Sequence, residues 1–134
     1  MKCTDCDFSF AYSTLDNSKA LYGGIFNIEN SATGTVTASS MIGTKATYQG
    51  GVMSVTQSGI SQPTVTKISF VNCQKIEDAS AQDGGVFYVN QPYINITLDR
   101  VKIKRPQAAA GAVAFIERAL QFEILNSQIQ DLNA

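Results

Sequence analysis

A short glycine-led apolar segment occurs four times along the chain and constrains its fold more than any other feature. The four copies are Gly23-Gly24-Ile25-Phe26-Asn27-Ile28, Gly50-Gly51-Val52-Met53-Ser54-Val55, Gly84-Gly85-Val86-Phe87-Tyr88-Val89 and Gly111-Ala112-Val113-Ala114-Phe115-Ile116. A strand-like segment that recurs at a nearly fixed period is typical of a solenoid, in which no single turn can bury its apolar face alone. The sequence therefore predicts a stack of similar turns, called rungs below.

The period is constant except in one rung. The segments begin at residues 23, 50, 84 and 111, so their spacings are 27, 34 and 27 residues. One enlarged loop in an otherwise constant unit fits a solenoid, because insertions collect in loops. We predict a single domain over residues 1–134 and expect it to be a fragment of a larger repeat protein. The predicted rungs are 1–22 (partial), 23–49, 50–83, 84–110 and 111–134 (partial).

Each rung is predicted to contain three short strands. The first follows the glycines and is rich in β-branched and aromatic residues. The second has a polar-apolar-polar pattern, in Thr35-Val36-Thr37, Thr64-Val65-Thr66, Asn95-Ile96-Thr97 and Gln121-Phe122-Glu123. The third is predicted at Ile68–Val71, Val101–Lys104 and Ile124–Ser127, and less regularly at Ser39–Ile42. This pattern predicts an all-β fold, a parallel β-helix (solenoid) of about four to five rungs.

Stacked rungs lie about 4.8 Å apart, so side chains at equivalent positions form columns through the interior. The first strands predict two neighbouring columns, Ile28, Val55, Val89 and Ile116, and Phe26, Met53, Phe87 and Ala114. The second strands predict a column of Val36, Val65, Ile96 and Phe122. An antiparallel sandwich is the main competing fold, because it also consists of short strands separated by turns. Matching register between the repeats favours the solenoid.

The glycine-led repeats, with Phe70-Val71-Asn72-Cys73 between two of them, resemble the pectin-lyase-like right-handed β-helices of surface proteins. They are most similar to polymorphic-outer-membrane and adhesin-like repeat proteins. The chain departs from that pattern at Gly111-Ala112, where the second glycine is lost, and near Val101, whose rung lacks a Phe-Asn motif. The resemblance implies an extracellular or cell-surface scaffold and no catalytic residues.

Composition narrows the possible functions. With 10 basic and 11 acidic residues, the net charge of −1 gives no reason to expect nucleic acid as a partner. No apolar run approaches the roughly 18 residues of a membrane span, so we expect no membrane insertion. The chain has no histidine and only Cys3, Cys6 and Cys73, too few for a disulfide framework or a four-ligand zinc site. We therefore expect no enzyme activity, metal or cofactor, and a buried apolar role for Cys73.

A row of cations is the strongest candidate site. Arg100, Lys102 and Lys104, followed by Arg105, alternate along a predicted strand and could present one face to an anionic glycan or an acidic partner. Like charges on a strand also discourage edge pairing, which is the structural alternative. Asn95 begins an Asn-x-Thr sequence and is a candidate glycosylation site in a secretory compartment.

Three further patterns suggest weaker hypotheses. Asp99-Arg100 is the one acid–base pair on a predicted strand. Glu77-Asp78 and Asp83 are assigned to the seven-residue insertion, as a weak cation site or a polar loop. The Thr-Val-Thr segments at 35–37 and 64–66 suggest a threonine face that could bind ice.

The ends of such a solenoid carry unpaired backbone groups, and no capping helix is evident. We therefore expect stacking on further rungs of a parent chain or on copies of itself. The leading hypothesis is a non-enzymatic structural or adhesive segment at the cell surface, whose oligomers dissociate when Leu132 is replaced by a charged residue. The alternative is a carbohydrate-binding or carbohydrate-cleaving module that depends on Asp99 or Arg100.

Overall fold

The computed structural model of the chain describes residues 1–57 and 65–132. Within these ranges the regular structure consists of strands, and no helix occurs. In chain order the strands are β1 (Lys2–Ala11), β2 (Thr14–Asp16), β3 (Lys19–Tyr22), β4 (Phe26–Thr37), β5 (Ser40–Ile42), β6 (Lys45–Gln49), β7 (Met53–Thr56), β8 (Thr66–Val71), β9 (Lys75–Glu77), β10 (Phe87–Asn90), β11 (Ile94–Asp99), β12 (Lys102–Lys104), β13 (Ala114–Arg118), β14 (Gln121–Leu125) and β15 (Gln128–Gln130).

The strands form three parallel sheets. The largest has the order β13-β10-β7-β4-β8-β11-β14, with β1 also paired to β4. The second has the order β15-β12-β9-β5-β2, and the third joins β3 to β6. Because each pair joins strands from successive rungs, the chain winds into a parallel β-solenoid of about four turns with three strands per rung. The predicted fold is confirmed, and the antiparallel sandwich is excluded.

The first-strand columns are confirmed residue by residue. Phe26 pairs with Met53, Met53 with Phe87, and Phe87 with Ala114. The neighbouring column of Ile28, Val55, Val89 and Ile116 has the same register. Side chains alternate between the two faces of a strand, so both columns point into the core and the residues between them point outward.

The second-strand prediction is correct for Ile96 and Phe122, which pair in register, and wrong in register for Val36 and Val65. Val36 pairs with Phe70, and Val65 lies outside the strands with 61% of its surface exposed. The observed interior columns are Phe8, Gly34, Ile68, Ile96 and Phe122, and Phe10, Val36, Phe70, Leu98 and Ile124. A three-residue polar-apolar-polar pattern occurs at Val65 as well as at the true strand, so the pattern alone does not identify the paired residues.

The third-strand prediction is correct in part. Ile68–Val71 and Ile124–Ser127 do not form third strands, because their paired residues lie in β8 and β14, at the second position. Val101–Lys104 contains β12 and lies at the third position as predicted. The interior column of the third strands is Leu15, Met41, Ile76, Ile103 and Ile129.

The seven extra residues of the long rung lie between β7 and β8. Glu29 pairs with Thr56 at an offset of 27 residues, whereas Gly34 pairs with Ile68 at an offset of 34. The additional length therefore enters between these two pairs, in a segment whose residues 58–64 lie outside the described ranges.

Aromatic rings contact one another through successive rungs of the core. Phe26 lies 5.4 Å from Phe8 and 6.3 Å from Phe70, measured between ring centroids. Phe87 lies 5.2 Å from Phe70 and 5.9 Å from Phe122. Most of these pairs meet edge to face, an arrangement that the ring quadrupole favours. The rings thus join the first and second strands of neighbouring rungs.

Two corners of every rung contain a residue with left-handed backbone. The corner after the second strand has φ between 48 and 56° at Tyr12, Ala38, Asn72, Arg100 and Asn126. The corner after the third strand has φ between 52 and 67° at Asn17, Gly43, Asp78, Arg105 and Asp131. Asparagine, aspartate and glycine tolerate this conformation best. Arg100 and Arg105 therefore lie at corners of the solenoid and not within its strands.

The Gly-Gly corners bring successive rungs into backbone contact. A Cβ atom at Gly24 would overlap the carbonyl oxygen of Gly51, and one at Gly51 would overlap that of Gly85. A Cβ at Gly85 would likewise overlap the carbonyl oxygen of Ala112. Ala112 occupies the same corner position in the last described rung, and its carbonyl oxygen is the atom that Gly85 approaches. The glycine at each of the three earlier corners is therefore required for steric reasons.

Gly51→Ala is expected to lower the free energy of unfolding by about 3 kcal/mol or more, because its methyl group would force two rungs apart. Urea denaturation followed by circular dichroism measures this change. Ala112→Gly makes the reverse exchange at the same corner of the last rung and is expected to change stability by less than about 1 kcal/mol. Equal effects of the two substitutions would contradict the steric argument.

Candidate functional site

The predicted cationic row is divided between a strand and its corners. Lys102 and Lys104 flank the buried Ile103 in β12, so both point outward from the second sheet. Arg100 lies on the preceding corner and forms an ion pair with Asp99, at 3.3 Å between Nη2 and Oδ2. The structure therefore places two of the three predicted residues on one face and the third beside it.

Neighbouring rungs give this outer face a mixed charge. Lys104 pairs in register with Glu77 of the preceding rung. Lys75 precedes Ile76, which pairs with Ile103, so Lys75 is placed next to Lys102. The second sheet thus carries two neighbouring lysines beside an acid–base pair, instead of an unbroken cationic stripe.

Arg105 is already engaged by acids. Its Nε and Nη2 donate hydrogen bonds to the two carboxylate oxygens of Asp78, at 2.7 and 3.1 Å, and Glu77 lies 3.7 Å away. The Arg105 hydrogen bonds hold the pKa of Asp78 below its usual range, with a smaller contribution from the charge of Lys104. The same pairing raises the pKa of Arg105. The guanidinium therefore occupies the position where a weak cation site was predicted.

The assignment of these acids to the insertion is also wrong. Glu77 pairs with Ile42 in the regular second sheet, and Asp83 bridges to Gln49. Across residues 1–57 and 65–132, no group of three or more His, Cys, Asp or Glu side chains could hold a metal ion.

Asn95 lies on β11 between two buried isoleucines, with its side chain half-buried on the outer face. It pairs in register with Lys67 and Gln121 of the adjacent rungs. Its Oδ1 is buried and has no hydrogen-bond partner within residues 1–57 and 65–132. Glycosylation of Asn95 stays a prediction.

The two Thr-Val-Thr segments on which the ice-binding hypothesis rests are not aligned in the described residues. Thr35 pairs with Ser69 and Thr37 with Val71, so the first Thr-Val-Thr segment has no threonine beside it in the next rung. Thr66 pairs with Ile94, and Thr64 lies outside the described residues. The sequence pattern aligns the two segments by placing Val65 opposite Val36, and the structure places Phe70 there instead.

The three cysteines differ in environment. Cys3 and Cys6 form a disulfide within β1. Cys73 is fully buried, as predicted, and burial raises the pKa of its thiol. A buried thiol with a raised pKa is a poor nucleophile, so Cys73 acts as a core residue.

The two ends of the solenoid differ in how well they cover the core. At the C-terminal end three interior columns finish at Ile116, Ile124 and Ile129, which are 45, 42 and 37% exposed. At the N-terminal end the rings of Phe8 and Phe10 pack on Phe26 and are half-buried. The last rung therefore exposes a broad apolar cross-section.

A small cleft opens on the outer surface where β3 and β6 meet the first strands of the large sheet. It has a volume of about 180 Å³ and is lined by Tyr22, Asn27, Glu29, Gln49, Ser54 and Thr56. None of these six residues belongs to a site predicted from the sequence. For two of them, Asn27 and Ser54, the sequence does carry a signal, because the equivalent positions of the later repeats are the aromatic residues Tyr88 and Phe115.

The fold and its register define the chain as a parallel β-solenoid repeat protein. No protein-family model, curated protein or solved structure matches it. No helix long and apolar enough to cross a membrane occurs in the described ranges.

The Asp78–Arg105 pair makes a pH-dependent contribution to stability. Because folding lowers the pKa of Asp78, this contribution is present above the unfolded-state pKa and is lost as the pH falls through the folded value. We expect NMR titration of the Asp78 carboxyl to give a pKa below the usual range, and Arg105→Gln to return it to that range. Lys102→Gln removes another cation of the same rung and is expected to leave it nearly unchanged. An ordinary Asp78 pKa in the unmodified protein would contradict the ion pair.

Proposed function

We propose that this chain is a non-enzymatic structural segment of an extracellular or cell-surface protein that acts by stacking end to end. The observation that carries the proposal is the uncovered apolar cross-section of the last rung. Equivalent residues one rung earlier, Val89, Leu98 and Ile103, are almost completely buried. Covering the last rung would remove a comparable apolar area from water, at roughly 25 cal/mol per Å².

Backbone groups support the same contact. β13, β14 and β15 lie at the outer edges of their sheets, so one row of N–H and C=O groups on each is left without a strand partner. An exposed parallel edge with an apolar interior is suited to another rung of the same kind. We therefore assign the partner as a second copy of this chain.

The N-terminal end of a second copy offers matching columns. If the register continued, Phe10 of the copy would lie beside Ile124 and Leu15 beside Ile129, since these residues belong to the same columns. Apolar residues would then meet apolar residues across the contact. This arrangement is head to tail, so it can repeat into longer assemblies.

Ala112 restricts how the copies can meet. By the geometry of the earlier corners, its Cβ points to the place where the corner oxygen of a following rung would lie. Stacking must leave that corner open and be made mainly through β14 and β15. This requirement favours contact along two sides of the rung.

Two observations support an extracellular or surface location. Cys3 and Cys6 form a disulfide, and disulfides form and persist mainly in oxidising compartments. The glycine-led repeats resemble those of pectin-lyase-like and adhesin-like surface proteins. The proposal assigns no catalytic residue to the chain.

Ile124→Lys is expected to convert the assembled protein to monomer, because it places a charge in the apolar contact. Leu125→Lys is a matched control: Leu125 is the next residue of β14 and is 45% exposed, but its register with Asp99 directs it outward. Sedimentation velocity measures the assembly, and circular dichroism checks that both variants keep the β fold.

Two outcomes of these measurements would contradict the proposed end-to-end contact. An unmodified protein that stays monomeric over a wide concentration range would overturn stacking between copies. Dissociation by Leu125→Lys as strongly as by Ile124→Lys would indicate a contact through the outer face instead.

A further inference from the structure

We propose that the cleft between Tyr22 and Ser54 binds one uncharged sugar ring. The cleft lies on the outer surface of the first rungs, so this proposal does not depend on stacking of the ends. Its volume of about 180 Å³ is below the roughly 300 Å³ of pockets for drug-sized ligands. A single pyranose is a ligand of suitable size.

The ring of Tyr22 forms an aromatic wall on one side of the cleft, and Tyr48, which does not line the cleft, contacts that ring. The ring centroids of Tyr22 and Tyr48 lie 5.4 Å apart, and both rings are substantially exposed on the third sheet. Paired tyrosines fix each other's orientation and so lose little entropy when a ligand packs against them. The apolar C–H face of a pyranose suits such a surface, while its hydroxyl groups remain free for polar contacts.

Uncharged polar groups form the remaining walls. Asn27 and Gln49 carry side-chain amides, and Thr56 carries a hydroxyl, all of which can both donate and accept hydrogen bonds. Sugar hydroxyls have the same dual capacity, so they can be matched in either direction. The one carboxylate, on Glu29, lies 3.4 Å from the ammonium of Lys2. This ion pair offsets the negative charge and favours a neutral ligand.

The outer column explains why the cleft lies at the first rungs. Asn27 pairs in register with Ser54, and Ser54 with Tyr88, which in turn stacks on Phe115. Aromatic rings occupy this outer column in the later rungs, whereas the smaller side chains of Asn27 and Ser54 occupy it in the earlier ones. Ser54 forms the floor, where its buried Oγ has no hydrogen-bond partner among the described residues.

Protein NMR titration tests the proposal directly. The probes are the methyl glycosides of glucose, galactose, mannose and N-acetylglucosamine, each to about 20 mM, which detects millimolar affinity. Glucuronic acid serves as the charged comparison. We expect at least one neutral glycoside to shift the backbone amide of Tyr22 and the side-chain amides of Asn27 and Gln49. The titration is carried out on Ile124→Lys as well, so that assembly cannot produce the shifts.

Substitutions then locate the contact. Tyr22→Ala is expected to weaken binding at least fivefold, whereas Tyr93→Ala, which removes another exposed tyrosine on a different rung, is expected to leave it unchanged. Gln49→Leu provides a second variant that keeps the aromatic wall, and it is also expected to weaken binding.

Three results would overturn the proposal. One is the absence of shifts with every neutral glycoside, and another is binding of glucuronic acid alone. The third is a set of shifts confined to residues outside the cleft. None of these outcomes affects the sedimentation test of stacking, so the two proposals can fail separately.

Discussion

Backbone contact between successive rungs at the Gly-Gly corners is the constraint on which the rest of the structure depends. Gly24 and Gly51 donate hydrogen bonds to Gly50 and Gly84 one rung further on, at 3.0 and 3.2 Å, with no space for a side chain between them. This close approach fixes the vertical spacing. Once that spacing is set, the first strands fall into register and the apolar columns follow.

The sequence predicts the parts of the fold that lie next to a fixed marker. The first-strand columns are correct because each strand begins directly after a glycine corner. The second strands are separated from that corner by a junction of variable length. The sequence pattern therefore aligns Val65 with Val36, whereas the residue that pairs with Val36 in the structure is Phe70. Alternation with a period of two states which residues share a face, but it does not state which residue of the next rung lies opposite.

Functional surfaces were predicted less completely, for a related reason. The cationic row was evident because its residues are close in sequence, yet the acids that engage Arg105 come from the preceding rung. The cleft combines the end of β3 with β4, β6 and β7, so its residues are adjacent only after stacking. An alignment of the four repeats does show the change from Asn27 and Ser54 to Tyr88 and Phe115, and the meaning of that change becomes clear when the column is known.

The junction between β7 and β8 has a consequence for how such a protein can vary. Seven additional residues enter there, while the pairings on either side keep the register of their neighbours. The length of this junction can therefore change without altering the strand pairing of the solenoid. A new peptide grafted into the junction would be displayed on the side of an unchanged scaffold, which makes this rung a natural place for diversification and for engineered insertion.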